Sequence, residues 1–160
     1  MTIAIVRANY ALPEHGQSIV QLMDTYARDP MGGGTGLSDY AKANLVSELA
    51  ARSLARSMLA YVDGTAAGLV NCLEGFSTFA CQPLLNIHDV IVAPDFRGRG
   101  LGKLMFAEVE AIAREIGCCK LTLEVLEGNE VAQKLYRSCG FQGYVLDPQM
   151  GHALFWEKKL

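Results

Sequence analysis

Residues 90–103 decide the fold, and they read VIVAPDFRGRGLGK from Val90 to Lys103. The β-branched start predicts a strand that ends at Pro94, and the apolar spacing of residues 104–113 predicts a helix directly after the glycines. Such a junction binds anions, because unpaired helix N–H groups and the positive end of the helix dipole point the same way. Glycines let the backbone approach a ligand and two arginines add charge, so the expected ligand carries phosphate.

Two familiar phosphate loops do not fit this segment. The Walker pattern needs a glycine where Arg97 stands and a serine or threonine where Leu104 stands. The dinucleotide pattern needs G-x-G-x-x-G, whereas the three glycines at 98, 100 and 102 are evenly spaced. The remaining alternative is an ordinary turn with a solvated basic patch. Three glycines and two arginines at a strand–helix junction make that alternative the weaker one.

A second segment, residues 127–141, reads EGNEVAQKLYRSCGF and follows a strand predicted over residues 120–126. Asn129 suits the N-cap of a helix, and Gly140 suits the position just after its end. Three side chains share one face of this predicted helix: Val131, Leu135 and Cys139.

Together the two segments resemble motifs A and B of the GNAT superfamily of N-acetyltransferases. The first resembles (Q/R)-x-x-G-x-(G/A) through Arg97, Gly100 and Gly102. The second resembles N-x-x-A-x-x-L-Y-x-x-x-G-F through Asn129, Ala132, Leu135, Tyr136, Gly140 and Phe141. The resemblance implies an α/β (α+β) GNAT-like acyl-CoA N-acyltransferase fold, with a mixed central sheet of about seven strands flanked by about four helices.

Length and composition are those of one domain over residues 1–160, with 51% hydrophobic residues and a net charge of −3. The charge argues against nucleic acid as a partner, and no apolar stretch reaches membrane-spanning length. The N-terminus lacks the pattern of a signal peptide. Five cysteines without C-x-x-C spacing favour reduced thiols in a cytoplasm, and the three histidines share no metal spacing, so no metal is expected.

The hydrophobic pattern predicts the order of elements along the chain. Helices are predicted over residues 13–27, from Ser38 or Asp39 to about 54, over 101–116 and after Asn129. Strands are predicted over residues 2–7, 58–62, 65–73, 84–92, 120–126, 141–145 and 152–157, with a hairpin turn at Asp63-Gly64.

The resemblance implies that acetyl-CoA is the acetyl donor and that the loop binds its pyrophosphate. The implied pyrophosphate contacts are Arg97, Gly98, Arg99, Gly100, Leu101, Gly102 and Lys103. It also implies that the pantetheine arm pairs with the backbone of Val90, Ile91 and Val92, and that the N–H of Val90 polarises the thioester carbonyl. Asn129 has two roles left open, a bond to the cofactor arm or a helix cap.

Tyr136 is implied as the proton donor to the departing thiolate, because a phenol of ordinary pKa near 10 is protonated at pH 7. The alternative is a tyrosine that only packs. The acceptor amine must lose a proton, and the candidate bases are His88, Asp89 and Glu74. The resemblance puts His88 first, because several members of the family have His or Glu at the matching position, and an imidazole changes charge near neutral pH. Alternation sends His88 and Asp89 to opposite faces of the strand, and Glu74 acts through water or binds a cationic substrate.

The acceptor site is expected between the loop of the first two helices and the central strands, with Asp29, Met31, Glu74 and Asp89 as substrate residues. The expected activity is acetyl transfer from acetyl-CoA to a primary amine of a small molecule. Two alternatives are a protein N-terminal or lysine acetyltransferase and a non-catalytic CoA-binding sensor. Partners other than the amine are not expected, neither nucleic acid nor membrane; a homodimer is compatible with the fold and the oligomeric state is open.

Overall fold

In the computed structural model, which describes residues 1–160, five strands form one sheet in the order β1-β2-β3-β4-β5. The first four strands are antiparallel to their neighbours, and the fifth is parallel to the fourth. The strands are β1 (Ile3–Arg7), β2 (Ala55–Val62), β3 (Thr65–Ser77), β4 (Gln82–Val92) and β5 (Leu121–Leu123). The sheet belongs to a unit of residues 1–123, and residues 124–160 form a second unit.

Three helices accompany the sheet in the first unit: α1 (Pro13–Arg28), α2 (Asp39–Ala50) and α3 (Leu101–Glu115). Helix α1 covers one face, where Ile19 and Leu22 form a core with Leu59, Leu69 and Ile91 of three neighbouring strands. Helix α2 packs against α1. It begins with a capping bond in which the Ala41 N–H donates to Ser38 Oγ at 3.1 Å.

Helix α3 covers the opposite face of the sheet. Met105 lies over Gly68 of β3 so closely that a Cβ atom at Gly68 would be 2.9 Å from the Met105 Cε. From β1, the Arg7 guanidinium donates to Glu108 at 2.6 Å and to both carboxylate oxygens of Glu115 at 2.7 Å. These contacts fix the helix that begins at the glycine-rich loop.

Several predicted elements are confirmed in the first unit. The Asp63-Gly64 hairpin has positive φ at both residues, 48° and 80°, as a two-residue type I′ turn requires. Strand β3 continues past residue 73, because its last residues pair with the start of β4. Helix α2 ends at Ala50 rather than near residue 54, and β5 is limited to the three residues that pair with β4.

The second unit contains helix α4 (Glu130–Ser138) and a 3₁₀ turn at Pro148–Met150. The Ala132 N–H donates to Asn129 Oδ1 at 3.1 Å, and Gly140 follows the helix with φ 88°. The strands predicted over residues 141–145 and 152–157 are wrong, because this segment pairs with no strand and residues 142–160 are exposed. An alternating pattern makes a strand only where a neighbour supplies ladder hydrogen bonds.

The α/β class with a mixed sheet and four helices is therefore confirmed, with five strands in place of about seven. One domain over residues 1–160 stays a prediction. None of the helices combines the length and the apolar character needed to cross a bilayer.

Truncating the buried face of α3 should destabilise the protein. Met105 is fully buried, so Met105→Ala should lower the free energy of unfolding by about 2–5 kcal/mol through lost contacts and a cavity. The adjacent Leu104 is an exposed residue of the same helix, and Leu104→Ala should cost less than about 0.5 kcal/mol. Urea unfolding of both variants measures the difference, and equal losses would contradict this packing.

Candidate active site

The loop from β4 to α3 leaves a run of backbone N–H groups without partners. A 3₁₀ turn at Pro94–Phe96 ends with the Arg97 N–H donating to the Pro94 carbonyl at 3.2 Å. The next N–H that donates is that of Leu104, to the Gly100 carbonyl at 3.2 Å. The six N–H groups of residues 98–103 donate to no atom of the protein. Such a run of donors at a helix N-terminus is an anion site.

Gly100 makes this arrangement possible. It is the N-cap of α3 and has φ 78°, a left-handed conformation that strains any residue with a Cβ. Apart from its neighbours in the chain, no residue has an atom within 4 Å of the position that a Cβ would take. The backbone is therefore bare on this side, and a phosphate group can approach it closely.

Positive side chains surround the loop. Lys103 is exposed and forms no ion pair. Arg99 lies over the Phe96 ring, 5.2 Å from its centroid, and Nη2 donates to the Asp95 carbonyl at 3.1 Å. The Arg97 Nε donates to the Val92 carbonyl at 3.2 Å. Arg99 and Lys103 form no ion pair, so with the positive end of the helix dipole they favour an anionic ligand.

The end of β4 has a free edge next to this loop. Strand β5 pairs with β4 only from Leu85 to Ile87, so the edge beyond Ile87 is uncovered. The Ala93 N–H donates to the Ala67 carbonyl on β3, and backbone direction alternates along a strand. The polar backbone groups of Val90 and Val92 therefore point to the free edge, whereas those of Ile91 point to β3.

His88 lies at an irregularity of β4. Asn71 is paired with Asp89 and the next residue, Cys72, with Ile87, so His88 has no register partner on β3. The side chain of His88 is exposed. Because the extra residue interrupts the alternation, Ile87 and Asp89 lie on opposite faces of the sheet although they are two positions apart.

The two candidate carboxylates occupy opposite faces. Asp89 shares the α1 face with Ile91 and accepts a hydrogen bond from Asn71 Nδ2 at 3.0 Å. Glu74 follows Cys72 by two positions and lies on the α3 face. Burial raises the pKa of the Cys118 thiol, and the charge of Glu74 raises it further. Only Asp89 is on the face that carries the loop between α1 and α2.

That loop is a defined turn. Asp29 Oδ1 accepts from the Met31 N–H at 2.9 Å, and Asp29 Oδ2 accepts from Arg97 Nη2 at 3.1 Å. The hydrogen bond from the Met31 N–H holds the pKa of Asp29 below its ordinary value, and the hydrogen bond from Arg97 lowers it further. A Cβ at Gly32 would lie 2.0 Å from the Tyr26 carbonyl oxygen, so only glycine fits there. The structure thus joins the predicted acceptor loop to the first arginine of the glycine-rich loop.

The second unit places two predicted residues on one short helix. Asn129 caps α4, which is one of the two roles that the sequence left open. Tyr136 is buried, and its ring lies 6.2 Å from that of Phe141.

Sequence reasoning missed three polar residues on the α1 face: Ser57, Asn71 and Tyr26. Ser57 and Asn71 stand at core positions of otherwise apolar strands, which is the signal that could have identified them. Burial raises the pKa of the Tyr26 phenol, and the charges of Asp89 and Asp29 raise it further, so both carboxylates lie near this ring.

The comparisons with known proteins agree with this geometry. The sequence model of the Acetyltransferase (GNAT) family matches residues 19–141, three quarters of the chain. The chain belongs to the GNAT family. This membership confirms the predicted enzyme class, an acetyl-CoA-dependent N-acetyltransferase, and acetyl-CoA as its donor.

The relatives of this GNAT protein differ in how much of their length matches it. An uncharacterized N-acetyltransferase of Archaeoglobus fulgidus is 31% identical over 72% of this chain and 84% of its own. Bovine thialysine N-epsilon-acetyltransferase is 38% identical over 35% of this chain, which spans only 33% of that relative's length. The solved structure of AAC(6′)-Iy with a CoA-containing bisubstrate analogue has a TM-score of 0.78 at 21% identity, with full coverage of both chains. This structural likeness concerns the fold.

The residues present fit acetyl-CoA. The free N–H groups of residues 98–103 suit a pyrophosphate, and the free edge of β4 at Val90 and Val92 suits an arm that carries amide groups. The free edge and the free N–H groups follow one another within the segment from Val90 to Lys103.

Replacing Gly100 should weaken CoA binding specifically. Gly100→Val puts a branched side chain beside the free N–H groups, and CoA affinity should fall at least about tenfold, or about 1.4 kcal/mol, in calorimetry. Gly64→Val is the matched control, because Gly64 has φ 80° and equally open surroundings in the β2–β3 hairpin. The control should lose stability but keep CoA affinity. Unchanged affinity in folded Gly100→Val would refute the loop as the phosphate site.

Proposed function

We propose that this GNAT enzyme transfers an acetyl group from acetyl-CoA to a primary amine of a small molecule, with Tyr136 as the general acid. The observation that carries the proposal is the run of free N–H groups at residues 98–103 beside the uncovered edge of β4. Relatives also support a small acceptor, since their names specify thialysine, streptothricin and glucosamine 6-phosphate.

On the donor side, bound acetyl-CoA supplies a thioester, an acyl group activated toward amines. The N–H groups of residues 98–103 hold its phosphates, with charge from Lys103 and from Arg97, whose guanidinium also pairs with Asp29. The N–H of Val90, which points to the free edge, donates to the thioester oxygen and stabilises negative charge that develops there. As the amine nitrogen bonds to the carbonyl carbon and loses a proton, the carbon–sulfur bond breaks, and Tyr136 gives its hydroxyl proton to the sulfur and regains one from solvent.

On the acceptor side, the amine must be neutral to attack. A lysine-like amine with a pKa of about 10.4 is neutral in about one molecule per thousand at pH 7, which adds roughly 4–5 kcal/mol to the barrier if unassisted. His88 is the proposed base, because it is exposed at the irregularity of β4, two residues before Val90. Asp89 and, through water, Glu74 are the alternatives.

A second acceptor class has one supporting observation. The fold matches that of a ribosomal-protein-alanine N-acetyltransferase from Brucella melitensis, with a TM-score of 0.67 at 19% identity. A mass-spectrometric assay with acetyl-CoA separates the classes, using aminoglycosides, diamines, amino sugars, amino acids and peptides as acceptors. Acetylation of a small amine supports the proposal, and acetylation of peptides alone supports the second class. No product with any acceptor would indicate a CoA-binding sensor.

Removing the Tyr136 hydroxyl should slow the reaction and spare donor binding. Tyr136→Phe keeps the ring, so acetyl-CoA affinity should stay within twofold, while kcat falls by about 10²–10⁴. The exposed Tyr144 in the same unit provides the control, and Tyr144→Phe should change neither quantity. If turnover of Tyr136→Phe stays within twofold, Tyr136 is a packing residue.

Replacing His88 should cost most where free amine is scarce. His88→Gln should lower kcat/KM most near neutral pH and regain part of the loss as pH rises toward the pKa of the amine, because the neutral amine then needs no base. The measurement is kcat/KM against pH with one acceptor. His152→Gln, at an exposed position, is the control and should follow the wild-type profile. Parallel profiles of His88→Gln and wild type would transfer the base role to Asp89 or Glu74.

A further inference from the structure

A chain of hydrogen-bonded side chains crosses the α1 face of the sheet and ends at Asp89. The Tyr10 hydroxyl lies 2.9 Å from Ser57 Oγ, and Ser57 Oγ lies 2.6 Å from Asn71 Oδ1. Asn71 Nδ2 then lies 3.0 Å from Asp89 Oδ2. Ser57 pairs with Asn71, and Asn71 with Asp89, so the chain runs straight across β2, β3 and β4. Ser57 and Asn71 are only 3% and 5% exposed.

The chemistry of these groups gives the chain one direction. The amide oxygen of Asn71 only accepts, so Ser57 donates its single proton to it. Ser57 must then accept from Tyr10, whose pKa is raised by burial, so the phenol stays protonated and donates at neutral pH. At the other end, the amide N–H of Asn71 donates to Asp89. Every hydrogen bond therefore points its positive end toward the carboxylate.

Asp89 is a charged group on this face that forms no ion pair within the protein. Asp29 is paired with Arg97, whereas no ion pair of the protein includes Asp89. The Oδ2 atom of Asp89 accepts a hydrogen bond from Asn71, and its Oδ1 atom accepts none from the protein. The residue is half-buried, so this second oxygen can be reached by a ligand, and an ammonium group is the ligand chemistry that a carboxylate without a cation favours.

We propose that Asn71 is a positioning residue, and that through Ser57 and Tyr10 it holds the Asp89 carboxylate to bind an ammonium group of the acceptor. This inference rests on the proposed function, because it assigns the recognition of the amine. Loss of Ser57 frees the Asn71 amide to turn its oxygen toward Asp89, which would repel the carboxylate from its position. Asp89 contacts the acceptor, and the other three side chains act through it.

The test separates acceptor binding from donor binding. With the best amine of the acceptor panel, Asn71→Leu and Asp89→Asn should each raise the KM for the amine by about tenfold or more. The KM for acetyl-CoA should stay within twofold. Ser57→Ala, a smaller change, should raise the amine KM about threefold to tenfold. Ser18→Ala is the matched control. Ser18 is a buried serine that is hydrogen-bonded to Tyr61 on the same face, but it is not part of the hydrogen-bonded series from Tyr10 to Asp89. It should leave both KM values within twofold.

A binding measurement without turnover distinguishes this inference from the proposed function. Calorimetry with 1,4-diaminobutane in the presence of CoA should show binding to the wild type that weakens about tenfold in Asn71→Leu and in Asp89→Asn. If no amine is acetylated but this pattern holds, the proposed function fails and the cation site stands. The inference is overturned if the wild type does not bind the diamine, if Ser18→Ala matches Ser57→Ala, or if both KM values rise together.

Discussion

Between Val90 and Lys103 the backbone carries hydrogen-bonding groups that the protein itself does not use. The N–H groups of residues 98–103 donate to nothing in the chain, and β5 stops pairing with β4 after Ile87. The first N–H groups of any helix lack partners within the helix, and here the run extends back into the glycine-rich loop, so the segment offers a ligand a series of adjacent donors. The packing of α3 through Met105 and the ion pairs of Arg7 hold the start of this helix against the sheet.

The irregularity at His88 gives the two ends of β4 different surroundings. Before it, Leu85 and Ile87 are buried on the α3 face and pair with β5; after it, Asp89 and Ile91 lie on the α1 face while the outer edge is free. One extra residue thus turns Asp89 to the face that carries the loop between α1 and α2. The ion pair of Asp29 with Arg97 links that loop to the glycine-rich loop.

Local signals were strong enough to predict much of this from the sequence. The Asp63-Gly64 turn, the Asn129 cap and the start of α3 follow from short-range chemistry, and each is confirmed. The carboxyl-terminal strands were not predictable in this way, because a strand depends on a partner that an alternating pattern does not identify. The chain from Tyr10 to Asp89 depends on the register of three strands, and the opposite faces of Asp89 and Glu74 depend on one inserted residue. Neither property is local.

Amide hydrogen exchange, followed residue by residue with and without CoA, shows whether the free N–H groups between Val90 and Lys103 bind the donor. With CoA at about 100 times its Kd, the amides of residues 98–103 and those of Val90 and Val92 should exchange up to about 100-fold more slowly. The amides of the Asp63-Gly64 turn should not change. If CoA binds and the amides of residues 98–103 stay unprotected, the glycine-rich loop is not the phosphate site.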